Sequence, residues 1–475
     1  MPGLFSDLNV SARALGAQSK AIEIAGNNLA NVNNANYARQ RVIMGTRGMV
    51  ETRFGPQGMG VEALGIEQIR DQFLDAQMTR EISQTEFLNA QNSNLLKAQS
   101  DLGEQVDSTS TSASINDTTH STNGISAALN DFFNSFDNLS ATPTDTGAKQ
   151  VLLQKAAILV NKLNTSDARL TNLQSDITSQ ISNDVGTVNG LLKDIAKLNG
   201  EIQQFELDSP NSAVDLRDQR QADLEELAKY MDVTAKTIPG ANGQIQVTAH
   251  DSTGADVLLV DKVNVLGAGV SFNGTQFSGG ANGATLGLQG GSLRGNLLVR
   301  DGAIQQLRDD LKNTATQLTS AVNTAYNPTS ATGNFFQSGA LGSSIIALDS
   351  TLSLGTLKTT DTGNSGANEL ALAMAKVAGQ NFSTSGGDAI NGTLGGFYTS
   401  VVSGLGQSIA GTQSALTDQQ TVQGMVQTQR DNVSGVSQDE ELTDLMKYQR
   451  AFQAQARVIN VVDSLLDTVV NGLFA

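Results

Sequence analysis

The chain has 475 residues, a formal charge of −17 and 4% aromatic residues, enough length for two to four domains. Nucleic-acid binding is excluded, because phosphate recognition needs clustered Lys and Arg, and single strands need aromatic stacking platforms. Without cysteine, disulfides, thiolate metal sites and cysteine nucleophiles fall away together; residues 1–7 lack the regions of a secretory signal, and no run approaches 18 apolar residues, so neither a cleaved leader nor membrane insertion is expected.

The first predicted helix carries Leu8, Leu15, Ile22 and Leu29 seven apart. A seven-residue repeat puts one apolar stripe along a helix and offers it to a partner helix. An irregular stretch, 31–37, follows, then short extended pieces at 41–44 and 58–64 with Gly55-Pro56 as punctuation. A second helical pattern runs over 68–102, with Leu88, Leu95 and Leu102 again seven apart. Residues 104–124 are rich in Ser, Thr, Asn and Asp and read as a mobile loop.

A long helix is expected over 149–207, carried by Leu152, Leu159, Leu163, Leu170, Ile177, Ile181 and Ile195 among others, and closed by Pro210. Another spans 213–230. The period then changes: Val233, Ile245, Val247, Val257 and Leu259 lie in short alternating runs separated by Pro239-Gly240 and Asp251-Ser252-Thr253-Gly254, so this region is β. Helix resumes at 293–326, a Gly/Ser/Thr-rich stretch over 328–397 holds extended pieces near 345–354, and a further helix covers 398–432.

The last helix has the fullest set of signals. Ser437 and Glu440 have the S-x-x-E spacing of a capping box, and Asp439, Glu440 and Glu441 place negative charge at the positive end of the helix dipole. Leu445, Phe452, Ile459, Leu466 and Leu473 fall seven apart, with Tyr448, Val462 and Val469 on intermediate turns. No proline interrupts the run to Leu473, which corresponds to roughly 50 Å of helix. Residues 1–53 are net positive and 430–475 net negative, which favours pairing of the two ends. Two readings stand: two helices of a monomeric bundle, or an assembly surface.

The expected fold is mainly α with a β insert. Long terminal helices, 1–33 with 437–475, form a coiled-coil or bundle assembly domain; 34–232 with 293–436 form an α-rich domain; 233–292, with parts of 328–397, form a β-rich outer domain.

Signals of chemistry are sparse. His120 and His250 are the only histidines. Gly406-Gln407-Ser408-Ile409-Ala410 lacks the second Gly of a nucleophile elbow, and Gly58-Met59-Gly60 lacks the third Gly of a dinucleotide fingerprint. The pairs Glu225-Glu226 and Glu440-Glu441 lie on helices whose patterns already explain them. No catalytic, cofactor-binding or metal-ligating residue is assigned, and an enzyme is not expected.

Residues 26–40, Gly-Asn-Asn-Leu-Ala-Asn-Val-Asn-Asn-Ala-Asn-Tyr-Ala-Arg-Gln, resemble the signature of bacterial flagellar rod, hook and hook-associated proteins. Residues 433–441 and 448–459 resemble that family's closing helix. So do 60–74, Asp215-Leu216-Arg217-Asp218-Gln219-Arg220 and 290–301, in order and spacing. Arg39-Gln40 with Asp439-Glu440-Glu441 favours the hook-associated branch. Asn34, Ala35 and Asn36 replace the Thr, Pro and Gly of the usual turn, and Asn36 is expected in the left-handed region that such a glycine would occupy.

The resemblance implies a structural subunit exported unfolded, without a cleaved signal, to the outside of the cell. There it would join an axial homo-oligomer at the hook–filament junction of the flagellum. Its implied partners are hook protein, a second hook-associated junction protein and a cytoplasmic export chaperone on the C-terminal helix. The interface would comprise the heptad residues of both ends with Asn31, Asn36, Tyr37, Arg39 and Gln40. The alternatives are a hook or rod protein of the same family, or a surface-binding or enzymatic module carried by the β region.

Overall fold

The structure, a computed structural model, describes residues 3–46, 48–52, 55–104, 124–328, 333–339, 344–364 and 366–473. Most of the 104–124 loop, and the side chain of Leu473, lie outside what is described. The chain divides into two compact units: one of 1–85, 185–291 and 419–475, the other of 86–184 and 292–418. The fold is mainly α with a β insert, as its periodicities indicate.

In the first unit, α1 (Gly3–Ala30) leads to β1 (Gln40–Thr46), a short hairpin of β2 (Met49–Thr52) and β3 (Gly55–Gly58), and β4 (Val61–Gln68). β1 and β4 pair antiparallel from Gln40↔Gln68 to Thr46↔Val61, with a bulge between Ile43 and Met44. α2 (Gln72–Leu102) then passes into the second unit, where α3 (Ile125–Ala141) precedes α4 (Thr146–Phe205), which runs back into the first.

α5 (Val214–Tyr230) introduces the β insert: an antiparallel meander of β5 (Thr234–Thr237), β6 (Ile245–His250), β7 (Asp256–Asp261) and β8 (Asn264–Val265). A three-stranded sheet of β9 (Val270–Phe272), β10 (Phe277–Gly279) and β11 (Ala284–Leu286) follows. The insert is tied down by helix side chains. Asn199 on α4 donates to Ile245 O and Lys262 O, and Asn189 donates to Val270 O at 2.8 Å.

In the second unit, α6 (Gly291–Leu298) continues through a π-helical stretch, Val299–Ile304, into α7 (Gln305–Tyr326). A hairpin of β12 (Phe336–Ser338) and β13 (Ile346–Leu348), a short α8 (Glu369–Val377) and the start of α9 (Leu394–Ser434) complete it. Its core is aromatic. Phe132, Phe136, Phe335 and Phe336 are fully buried, with Phe132 centroids 5.0 to 5.9 Å from the other three in mostly edge-on geometry. The buried Arg308–Asp167 pair, 2.9 Å, links α7 to α4 beside it.

Helices α3 and α8 go beyond the sequence expectation, which assigned no element to 125–141 and placed 369–377 within a Gly/Ser/Thr-rich stretch. α3 forms because Ile125, Leu129, Phe132, Phe136 and Leu139 recur at three- and four-residue steps and every one is buried.

α10 (Gln438–Leu473) closes the chain. A break at 435–437 separates it from α9. A Cβ at Gly435 would stand 2.4 Å from Asp431 O, so only glycine lets the chain turn there.

Candidate functional site

α1 and α10 pack along each other within the first unit. The best-covered line of α1 is Ala14, Ala17, Ala21, Ile24, Ala25 and Asn28, each at most 7% exposed. Leu8, Leu15, Ile22 and Leu29 flank that line and are half-buried. The heptad residues are therefore less covered than this alanine-rich line, and α1 has β1 and β4 as neighbours besides α10. On α10, Leu445, Tyr448, Phe452, Ile459, Leu466 and Val469 are half-buried and Val462 is buried. The opposite side of α10 keeps Leu442, Met446, Val458, Val461 and Leu465 between 40% and 58% exposed.

The two ends are locked together where the signature loop meets the start of α10. Asn28, 1% exposed, makes four hydrogen bonds: its Nδ2 donates to Gln40 O (2.8 Å) and Glu441 Oε2 (3.0 Å), and its Oδ1 accepts from Tyr37 OH (2.8 Å) and Gln40 N (3.0 Å). Both donors and both acceptor sites of the amide are thereby used. Glu441, 3% exposed, accepts from Arg39 Nε at 2.6 Å, while Arg39 Nη1 reaches Glu440 at 2.7 Å. Arg39 N also donates to Ser434 O, 2.9 Å, holding the break that precedes α10.

A second layer supports this clasp. Gln40 Nε2 donates to Asp215, and Asp218 on α5 accepts from Ala38 N, Gln68 and Arg70. Arg70 spans Asp218 (2.8 Å) and Asp75 (3.0 Å) and donates to Asn36 O. Burial disfavours the Arg70 charge, but Asp75 and Asp218 outweigh it and raise its pKa above the ordinary value. Burial, with Asp215, Asp218 and Glu441 adding to it, likewise pushes the Tyr37 phenol up, so Tyr37 stays a hydrogen-bond donor to Asn28.

Two expectations are corrected here. Asn36 is not in the left-handed region, which among described non-glycine residues is occupied by Asn211, Asn242 and Lys262. The turn is held instead by Asn34, whose Oδ1 accepts from Asn36 N at 3.2 Å, so an Asx turn replaces a backbone device. Asn31 sits beside it, donating to Asn27 O at 3.0 Å. Ser437 does precede α10, but Glu440 does not return to it; its carboxylate goes to Arg39, because a charged donor is a stronger partner than a backbone amide.

Asn28, Gln68, Arg70, Asp215 and Asp218 were absent from the predicted site. Each lies within a stretch whose resemblance to the family was visible, yet their convergence is a property of the fold.

With this geometry in place, comparison with known proteins defines the class first. Residues 422–473 match the family described as flagellar basal body rod FlgEFG protein C-terminal, and residues 113–335 match the flagellar hook-associated protein FlgK helical domain. This is a flagellar axial protein. Flagellar hook-associated protein 1 of Bacillus subtilis is 25% identical over 528 residues, covering 100% of this chain and 99% of the relative. The protein of that name in Escherichia coli is 24% identical, covering 98% and 99%. The hook junction protein FlgK of Burkholderia pseudomallei shares the fold, with a TM-score of 0.57 at 14% identity, over 76% of this chain and 100% of that one. The chain belongs to the flagellar hook-associated protein 1 family.

Proposed function

We propose that the chain is a structural subunit of the flagellar axis and forms part of the junction between hook and filament, with its terminal helices as the assembly element. The observation that carries this reading is the unequal covering of α10. One face packs on α1, while Val458, Val461 and Leu465 stand at three- and four-residue steps on another and stay 44% to 58% exposed. An apolar stripe on a helix that is already paired fits neighbouring subunits.

On this reading the partners are further copies of the chain, hook protein on one side and a second junction protein on the other. Before export, a chaperone would shield the same α10 stripe. Among the described residues no helix is long and apolar enough to cross a membrane. The protein acts by packing rather than by catalysis. The clasp of Asn28, Arg39 and Glu441 sets the register in which the two end helices present their stripe.

Electron microscopy of cells lacking the gene tests the assignment. Hooks of normal length without filaments are the expected result. Loss of the hooks as well would assign the chain to hook or rod, and normal filaments would refute a junction role.

A further inference from the structure

A cleft of about 320 Å³ in the first unit lies between the start of α2, the arginine-bearing face of α5 and strand β5. It lies apart from the helix pair and borders the layer behind the clasp through Gln68, Arg70 and Asp75, and it gathers four arginines, Arg70, Arg80, Arg217 and Arg220, in a chain of net charge −17. Arg220, 7% exposed, lines it. Its Nη1 donates to Asn199 Oδ1 at 2.7 Å and to Gly243 O at 2.8 Å, both neutral. Among the described residues nothing bonds to its Nε or Nη2, and no carboxylate pairs with it. The one carboxylate whose charge offsets Arg220, Glu206, is in direct contact with Arg217 instead, so this buried guanidinium is only partly compensated. Burial, followed by the neighbouring Arg217, lowers its pKa to about 10.

The surroundings hold this arginine in place and leave its open edge unanswered. Arg217 is held on its Nε–Nη2 edge by both oxygens of Glu206 at 2.8 Å and by Asn211, whose φ of 63° is left-handed. A Cβ on Gly243 would stand 2.5 Å from Glu206 and 2.6 Å from Arg217, so the close approach there needs glycine. The acids lining the cleft are engaged: Asp75 with Arg70 at 3.0 Å, Glu67 with Arg41. Arg80, exposed at the rim, enters no hydrogen bond or ion pair with a described residue.

Two further features give the cleft the form of a peptide site. Leu224, Val233 and Ile245 supply an apolar floor. β5 is the edge of the four-stranded meander, and its Thr234, Ala235 and Thr237 line the same cleft. An edge strand offers a free row of backbone donors and acceptors to an extended chain.

We propose that this cleft recognises an acidic side chain of an extended polypeptide, which adds to the edge of β5 and sets its carboxylate on the Nε–Nη2 edge of Arg220, with Arg80 closing the rim. Arginine presents that edge as a planar fork matched to two carboxylate oxygens. The inference does not depend on the junction role.

Calorimetric titration of the full chain at low salt tests it, using acetyl-Thr-Val-Glu-Val-Thr-amide, its Gln counterpart and inorganic phosphate. The Glu peptide should bind saturably, the Gln peptide about tenfold more weakly, and the amides of 234–237 should gain exchange protection with the Glu peptide. Arg220→Lys should weaken the Glu peptide about tenfold, and Arg80→Gln by a smaller factor, as expected for a buried fork and an exposed rim charge. Should Arg220→Lys fail to fold, Arg80→Gln with the exchange readout decides. Equal binding of the two peptides, binding of phosphate alone, or no binding of any probe would overturn the proposal.

Discussion

Helices α4 and α10 carry the same kind of apolar repeat and meet opposite fates. On α4, Leu152, Leu159, Leu163 and Leu170 are completely buried, in a unit where α3 and α7 contribute buried aromatic and aliphatic side chains of their own. On α10 the most covered described apolar residue is Val462 at 8%, and several others are half-exposed or more. The difference lies in the supply of partners. The second unit closes its own core, whereas α10 receives one helix, α1, whose best-covered line is built largely of alanine. An apolar repeat therefore announces that a helix needs neighbours; whether they come from its own chain depends on what else the chain supplies.

That contrast can be broken from either side. The largest effect on the subunit's own stability is expected for Phe132→Ala, which removes the ring at the centre of the aromatic cluster and leaves a cavity among Phe136, Phe335 and Phe336. A loss of about 3–5 kcal/mol in chemical unfolding is predicted. Arg39→Ala comes next. It leaves Glu441, 3% exposed, with Asn28 as its remaining side-chain partner, at a cost of about 3 kcal/mol. The loss should be local: hydrogen exchange should speed up in α1 and the first turns of α10 while the second unit is unchanged. Adding Glu441→Gln should recover part of it, by removing the stranded charge.

A smaller effect is expected at Asp223, whose pKa is pushed up to about 6 by burial, then by Asp194 and Glu226. Because the folded-state value lies above the unfolded one, ionisation of Asp223 opposes folding as pH rises through about 6, and the strain is absent below about 4. Asp223→Asn should therefore raise Tm by about 2 °C at pH 7.5 and leave it unchanged at pH 4.

Much of this architecture was legible, because three- and four-residue periodicity is local and the long helices α1, α2, α4, α9 and α10 show it over many turns. α8 is short and set in Gly- and Ser-rich chain, and α3 follows directly on a Ser/Thr-rich stretch, so composition hid both. The clasp was half legible. Tyr37, Arg39 and Gln40 stood out in a dense motif, but Gln40 meets Asp215 and Arg39 meets Glu441 across sequence separations of 175 and 402 residues. No spacing rule connects them. Asn36 and Glu440 were misjudged for one reason: a local rule was applied where a better partner existed, the Asn34 side chain for the turn and Arg39 for the carboxylate.

The smallest effect on the free subunit belongs to the substitutions that bear most directly on the central claim, that the outer face of α10 is where subunits meet. Val461→Asp with Leu465→Asp alters two side chains that are 58% and 49% exposed, and should change unfolding free energy by no more than about 0.5 kcal/mol each. Expressed in a strain lacking the gene and viewed by electron microscopy, the double variant should be exported, retain its circular dichroism spectrum and leave hooks bare of filaments. Filaments of normal number and length on those hooks would contradict the account.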